Sequence, residues 1–319
     1  MLNKSEFTEK IKADVMDFLP ETIRSSMEIG EIEVVKMNDQ KLHGLTFRRD
    51  GSDAAPTLYL EEAYSRYESG TEIPDIAEEL AAAAMHADMI GRPPEVDLSW
   101  ENVRDNLTVR LVEKKRNRDF LRDKPYMSVG NGLAVMVDIN MDRTETGDWR
   151  IAVNNSIVEQ NGYDMEELLH TAMENTGRVD PPMLTDMSAA LFSPIKENLL
   201  DRSDPLDPDD VAGMYVLSNE SGSFGAAALF ASGMKEKVAD ILGDSYYVLP
   251  SSVHETIIVP QSQGIEEKDL VDMVKQANRS VVEPKDILSD NVYHYDRDSR
   301  SLGKVSLNRE RGDRVAEGR

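Results

Sequence analysis

The stretch GLAVMVDINMDRTETGDWRIAVNNSIV, Gly132 to Val158, decides the fold class. Its first third is a short apolar run ending in polar residues, of strand length and rich in β-branched side chains. Thr144 to Asp148, TETGD, reads as a turn, and WRIAVNNSIV returns as a second strand. Two strands joined by so short a turn form an antiparallel hairpin, whereas parallel strands need a crossover of a dozen residues or more. Gly130-Asn131-Gly132 precedes the first strand instead of following one. It therefore lacks the strand-turn-helix geometry that cradles a pyrophosphate.

Outward from the hairpin the same logic repeats. Upstream, Phe7, Ile11, Val15 and Phe18 share one face of a helix over residues 4–19. Two strands, EIEVVKM and LHGLTFR, flank the turn Asn38-Asp39-Gln40, and PTLYL is a third. Helices follow at LEEAYSRYESG and at IPDIAEELAAAAMHADM, where Pro74 suits an early position. A long helix is expected from Trp100 to Lys124, ended by Pro125. Downstream, DMEELLHTAMENTG reads as a helix with Asp164 and Glu167 spaced as a capping box and Gly177 as its stop. MYVLSN and FGAAALF are expected to pair around ESGS. SGMKEKVADILG is a helix, SYYVLP and VHETIIVP are strands, and the last helix carries a stripe of Leu270, Met273, Val274, Ala277 and Val281. The expectation is an α+β fold, mainly antiparallel sheets built from hairpins with interspersed helices. It divides into an N-terminal subdomain over 1–125, a C-terminal one over 126–296, and a flexible polar tail over 297–319.

Composition narrows the function classes. The 319 residues hold 60 Asp and Glu against 36 Lys and Arg, a net charge of −24. That argues against an electrostatic grip on nucleic acid or an anionic membrane. No cysteine is present, which excludes disulfides, thiolate metal sites and thiol nucleophiles. The first residues, MLNKSEFTEKIKADVMDFLP, have no apolar core of a secretory signal, and no apolar window approaches the length of a membrane span. A cytoplasmic location is the expectation.

Four residues are candidates for chemistry. Glu167 and His170 have the E-x-x-H spacing of carboxylate-bridged metal sites, but they share the polar face of their helix, as solvated residues do. His254 and Glu255 lie in VHETIIVP, where alternation puts Glu255 on an otherwise apolar face. Buried there, its carboxyl would hold its proton and act as a general acid or base; a bulge at Ser251-Ser252 would turn it to water instead. Asp138, Asn140 and Asp142 alternate like the start of a calcium loop, with Arg143 where glycine is required. Ser193-x-x-Lys196 and Ser289-Asp290-Asn291 follow the order of serine β-lactamases, without the third motif. EKKRNRDFLRDK, residues 113–124, holds six basic and three acidic side chains. It is either a phosphate or acidic-partner contact or a solvated face whose acids pair with its bases. No cofactor motif is found.

YVLPSSVHETIIVP (Tyr247 to Pro260) and LVDMVKQANRSVVEPKDILSDNVYHYD (Leu270 to Asp296), together with LTVRLVEKKRNRDFL, DMEELLHTAMENT, MYVLSNESGSFGAAALF and PTLYLEEAYSRYESG, carry a resemblance. The chain resembles a bacterial domain-of-unknown-function family, the one numbered fifty-six eighty-eight, over roughly residues 5–296. The resemblance implies a bacterial protein, often encoded near phage-like or conjugative elements, and brings no catalytic residue with it. The function expected is that of a non-enzymatic accessory or interaction protein, one form of which presents carboxylates as a nucleic acid presents phosphates. The alternative is a small hydrolase or metal-assisted enzyme using Glu167, His170, His254 and Glu255. A protein partner is expected, direct nucleic-acid binding is not, and the oligomeric state is open.

Overall fold

Helix α1 (Lys4–Phe18) begins where a capping box sets it: Asn3 Oδ1 accepts the Glu6 amide at 3.0 Å and Glu6 Oε2 accepts the Asn3 amide at 2.9 Å. Phe7, Ile11 and Val15 are fully buried on one face. Phe18, expected to complete that face, is exposed, and Leu19, just past the helix end, is buried. The computed structural model describes residues 1–50, 55–90, 96–141, 150–193, 197–207, 211 and 213–307, without the side chains of 87–90. The chain divides into two compact units, Met1–Asp97 and Leu98–Arg319.

In the first unit, a short α2 (Glu21–Arg24) leads into the hairpin β1 (Met27–Lys36) and β2 (Gln40–Arg49), in register from Met27 opposite Arg49 to Lys36 opposite Gln40. The turn puts Asn38 and Asp39 at φ of 60° and 51°, the left-handed region those residues tolerate best after glycine. β3 (Thr57–Tyr59) pairs with β2. Helices α3 (Glu61–Glu68) and α4 (Ile73–Ile90) complete the unit. Ile76, Ala77, Ala81 and Ala84 of α4 are buried in one core with Phe7, Ile11, Leu45 and Phe47. Small alanines let α4 lie close to α1. The Phe7 ring sits 5.2 Å from both Tyr64 and Tyr67, a separation at which aromatic pairs attract beyond their burial.

The second unit holds two antiparallel sheets. After α5 (Trp100–Val103), β4 (Leu107–Glu113) pairs with β6 (Leu133–Asn140), and β6 pairs with both β5 (Tyr126–Gly130) and β7 (Arg150–Ala152). Two helices follow, α6 (Asn155–Asn161) and α7 (Met165–Val179), the latter packed on β4. Then come β8 (Pro182–Asp186), α8 (Met187–Phe192), β9 (Tyr215–Asn219), α9 (Met234–Leu242), β10 (Tyr246–Leu249), β11 (Thr256–Pro260), α10 (Glu267–Ser280), β12 (Tyr293–Asp296) and β13 (Ser301–Lys304). Their six strands are ordered β13-β12-β10-β11-β9-β8. The fold class is α+β, as the hairpin reading requires.

Several local expectations are corrected. The helix expected over 100–124 is one helical turn followed by β4. Every β4 residue but Arg110 is buried, so the strand shows no alternation, and a short buried run reads alike as helix or strand. Because β4 pairs with β6, the division expected at 125 lies instead between Asp97 and Leu98. FGAAALF is a buried 3-10 run from Gly225 to Phe230, and β9 pairs with β8 and β11. The segment expected to fray from Arg297 contributes β13; residues 308–319 lie outside the described ones. On α10 the buried face is Leu270, Val271, Val274 and Asn278, while Val281 is exposed.

Candidate functional site

Glu167 and His170 lie on the solvent face of α7. Asp164 Oδ1 accepts the Glu167 amide at 2.8 Å, which caps the helix. His170 Nδ1 is 3.3 Å from Glu174 Oε2, and the two side chains are 70% and 68% exposed. The carboxylate beside His170 is thus Glu174, one turn on. Glu255 is exposed and precedes β11, which starts at the buried Thr256, so strand alternation does not reach it. His254 is half-buried and used on both ring nitrogens. Nδ1 accepts the Phe224 amide at 3.2 Å, and Nε2 lies 3.4 Å from Asp286 Oδ1. This arrangement fixes the tautomer with its proton on Nε2. Among the described residues no group of three or more His, Asp or Glu could hold a metal ion. Asp142 and Lys196 lie outside the described residues.

His254 belongs to a stack that sequence reading did not assemble. The Phe224 ring, on a residue at φ 55°, is 5.3 Å from the His254 ring and 3.7 Å from the Arg110 guanidinium. Arg110 Nε and Nη2 each lie 2.8 Å from Asp138 Oδ2, and Asp138 is fully buried. Beside them Asp180 accepts from Arg150 Nη2 at 2.9 Å, Asn219 Nδ2 at 2.7 Å and Ser221 Oγ at 2.5 Å. The cavity among these groups is about 10 Å³, room for one water at most. The cluster holds the 219–224 turn in place and has no space for a substrate. The available signal was Arg110 and Asp138, opposite charges set into two otherwise apolar strand runs.

Half of the basic side chains in the 113–124 stretch are paired with carboxylates within the fold. Arg116 bonds Glu113 and Asp290, Arg122 lies 3.2 Å from Asp119, and Lys124 lies 2.6 Å from Asp123. The Ser289-Asp290-Asn291 motif closes on the same spot. Ser289 Oγ and Asn291 Nδ2 donate to the buried Glu113 Oε1 at 3.2 and 2.8 Å, and Asn278 Nδ2 donates to Asp290 at 2.8 Å. Ser289 is thus a buried hydrogen-bonding residue.

A roomier cavity lies in the first unit. A cavity of about 440 Å³ opens between the start of α1, the β1–β2 hairpin and the start of α3. Its walls include Phe7, Ile32, Leu60 and Tyr64, and its polar groups include Glu31, Glu33, Glu61, His43 and Lys4. Glu31 is 2.9 Å from Lys12, and Glu33 is 2.9 Å from Lys41 and 3.5 Å from His43. The Lys41 hydrogen bond holds the Glu33 carboxyl below the usual carboxylate range. Glu61 Oε1 accepts the His43 amide at 2.8 Å, while its shielded Oε2 has no hydrogen-bond partner. Desolvation, with Glu68 nearby, pushes the Tyr64 hydroxyl up. Three carboxylates and Lys4 line the cleft with its apolar walls, and two of the carboxylates, Glu31 and Glu33, are paired with Lys12 and Lys41. The hairpin is legible in the sequence, but which of its residues face α1 and α3 is set by packing.

The model for the Family of unknown function (DUF5688) matches residues 4–297. The chain belongs to this family. No curated protein and no solved structure is detectably similar to it. Membership of DUF5688 names no activity, so the functional reading of this DUF5688 protein rests on its own geometry. Among the described residues no helix is long and apolar enough to cross a membrane.

Proposed function

We propose that this DUF5688 protein is a bacterial accessory protein that acts by binding, and that its first-unit cleft receives a cationic side chain, lysine or arginine, from a partner protein. The observation that carries this is the cleft: about 440 Å³, walled by Phe7, Ile32, Leu60 and Tyr64, with Glu31, Glu33 and Glu61 at its polar positions. Pockets of this size, mostly apolar with a few placed polar groups, are typical ligand sites. The aliphatic stem of a basic side chain suits the walls, and its charged head suits Glu61, whose shielded Oε2 has no hydrogen-bond partner. The net charge of −24 adds a long-range pull on a basic partner and repels polyanions. The reading places the protein in the cytoplasm, in keeping with its cysteine-free acidic sequence.

The test is calorimetric titration of the full chain with an acetylated Arg-Leu-Arg peptide, against Glu-Leu-Glu as control. Saturable binding of the basic peptide is expected. Glu61→Gln, which keeps an acceptor for the His43 amide, and Glu33→Gln should each weaken it by roughly three- to tenfold. Equal affinity in both variants and wild type would move the binding away from the cleft and refute the proposal.

A further inference from the structure

The first-unit cleft already holds a cation of its own. Lys4, the first residue of α1, is among its lining residues, and Lys4 Nζ lies 5.6 Å from the centre of the Tyr64 ring. That is within the range at which a cation is drawn to an aromatic face. Lys12 and Lys41 nearby each hold a carboxylate at 2.9 Å. The Lys4 ammonium makes no ion pair among the described residues and holds only the ring. Of the two aromatic walls, Phe7 is fully buried and Tyr64 half-buried, so Tyr64 offers the face that a guest can reach.

The position of Lys4 is built, but its hold is weak. The capping box of Asn3 and Glu6 fixes where α1 starts. Just ahead of it, Leu2 is tied to α3 twice: Tyr67 Oη accepts the Leu2 amide at 2.7 Å, and Tyr64 Oη donates to the Leu2 carbonyl at 3.2 Å. The tyrosine under Lys4 thus anchors the residue two places before it. Against this, Lys4 is exposed, and a lysine in the first helical turn sits at the positive end of the helix dipole, where cations are disfavoured. An exposed cation–π contact shifts an equilibrium by only about two- to fivefold.

We infer that Lys4 is a built-in competitor for the cleft: its ammonium occupies the Tyr64 face that the cationic guest takes, and it swings out as the guest enters. The inference rests on the reading of the cleft as a receptor for a lysine or arginine side chain, and it adds how that site is regulated. The displacement cost is common to every cationic guest. Lys4 therefore lowers the affinity for lysine and arginine by the same factor, and favours a partner with further contacts over a stray basic side chain.

The experiment is calorimetric titration of the full chain and of Lys4→Met, at matched salt, with acetylated Arg-Leu-Arg and Lys-Leu-Lys. Lys4→Met should tighten the binding of both peptides by one factor, about three- to tenfold. Lys36→Met removes the same charge from the same unit, at a lysine held instead over Tyr59 at 5.3 Å, and should leave both affinities unchanged. Proton–carbon NMR of the full chain reads the displacement itself. The Lys4 ε-methylene signal, assigned by its loss in Lys4→Met, should stand upfield over the Tyr64 ring and move to the position of a free lysine as Arg-Leu-Arg is added. Equal affinities in wild type and Lys4→Met, or as large a gain in Lys36→Met, overturn the inference and leave the cleft reading standing. So does a Lys4 signal that stays in place while the peptide binds. No saturable binding by either wild type or Lys4→Met overturns the cleft reading and this inference with it.

Discussion

Arg110→Met should be one of the most damaging single substitutions in the second unit. Asp138 has no exposure to water, and its Oδ2 receives both Arg110 Nε and Nη2 at 2.8 Å. Its Oδ1 already has no hydrogen-bond partner among the described residues. Removing the guanidinium leaves a buried carboxylate with nothing to offset its desolvation, a loss of about 3–5 kcal/mol. The stack of Arg110 on Phe224 at 3.7 Å adds about 0.5–2 kcal/mol. Asp138→Leu is milder, because the Arg110 side chain is 12% exposed and can turn its head to water. The double change Arg110→Met/Asp138→Leu should recover most of the loss, since apolar replacement of a buried pair is often neutral. Urea unfolding followed by tryptophan fluorescence, with Trp100 in the second unit, reads this directly. The single change should lower the midpoint by more than about 1 M. A loss under about 1 kcal/mol in Arg110→Met, or a double mutant less stable than the single, would refute the reasoning.

Other substitutions test other contacts. At Gly225 an added Cβ would meet Ser218 Oγ, the His254 carbonyl at 2.6 Å and the Asn219 amide nitrogen at 2.7 Å, so Gly225→Ala should destabilise by about 2–3 kcal/mol in the same assay. His170→Ala and Glu167→Gln should each change stability by less than about 0.5 kcal/mol, as exposed residues do, and a divalent-ion melting shift lost in His170→Ala would contradict that. Burial alone would raise the Asp290 carboxyl, but the Asn278 hydrogen bond and the Arg116 charge outweigh it and hold it below its usual 3.8. Its contribution to stability is therefore complete above that value and lost as pH falls through the lower folded one. Between pH 5 and 2, Asp290→Asn should show a shallower loss of melting temperature than wild type; parallel curves would show that Asp290 does not contribute.

How far the sequence could be read follows from where each element's signal resides. α1, the β1–β2 hairpin, α7 and α10 carry periodicity, caps and turn residues within a dozen residues, so local rules find them. β4 does not, because a strand covered on both faces loses the alternation that distinguishes strand from helix. The 3-10 run at Gly225–Phe230 is equally apolar and equally ambiguous, and only the close approach at Gly225 explains its path. His254 looked like a reactive group because histidine is scarce here; its partners, Phe224 and Asp286, come from other segments. The first-unit cleft is a joint product of α1, the hairpin and α3, and no single segment announces it.

The tie between Glu113 and Ser289-Asp290-Asn291 sets a clock on biosynthesis. Glu113 Oε1 receives its donors from residues 176 and 178 positions further along the chain. At ribosomal speeds of roughly 5–20 residues per second, those donors are made about 9–35 s after Glu113 itself. Through that interval β4 can pair with β6, but its last carboxylate has only water and Arg116 to meet. The first unit, ended at Asp97, can close while the ribosome is still working. The second must wait for its final fifth, so a nascent chain stalled before Ser289 would expose an unfinished sheet to chaperones and proteases.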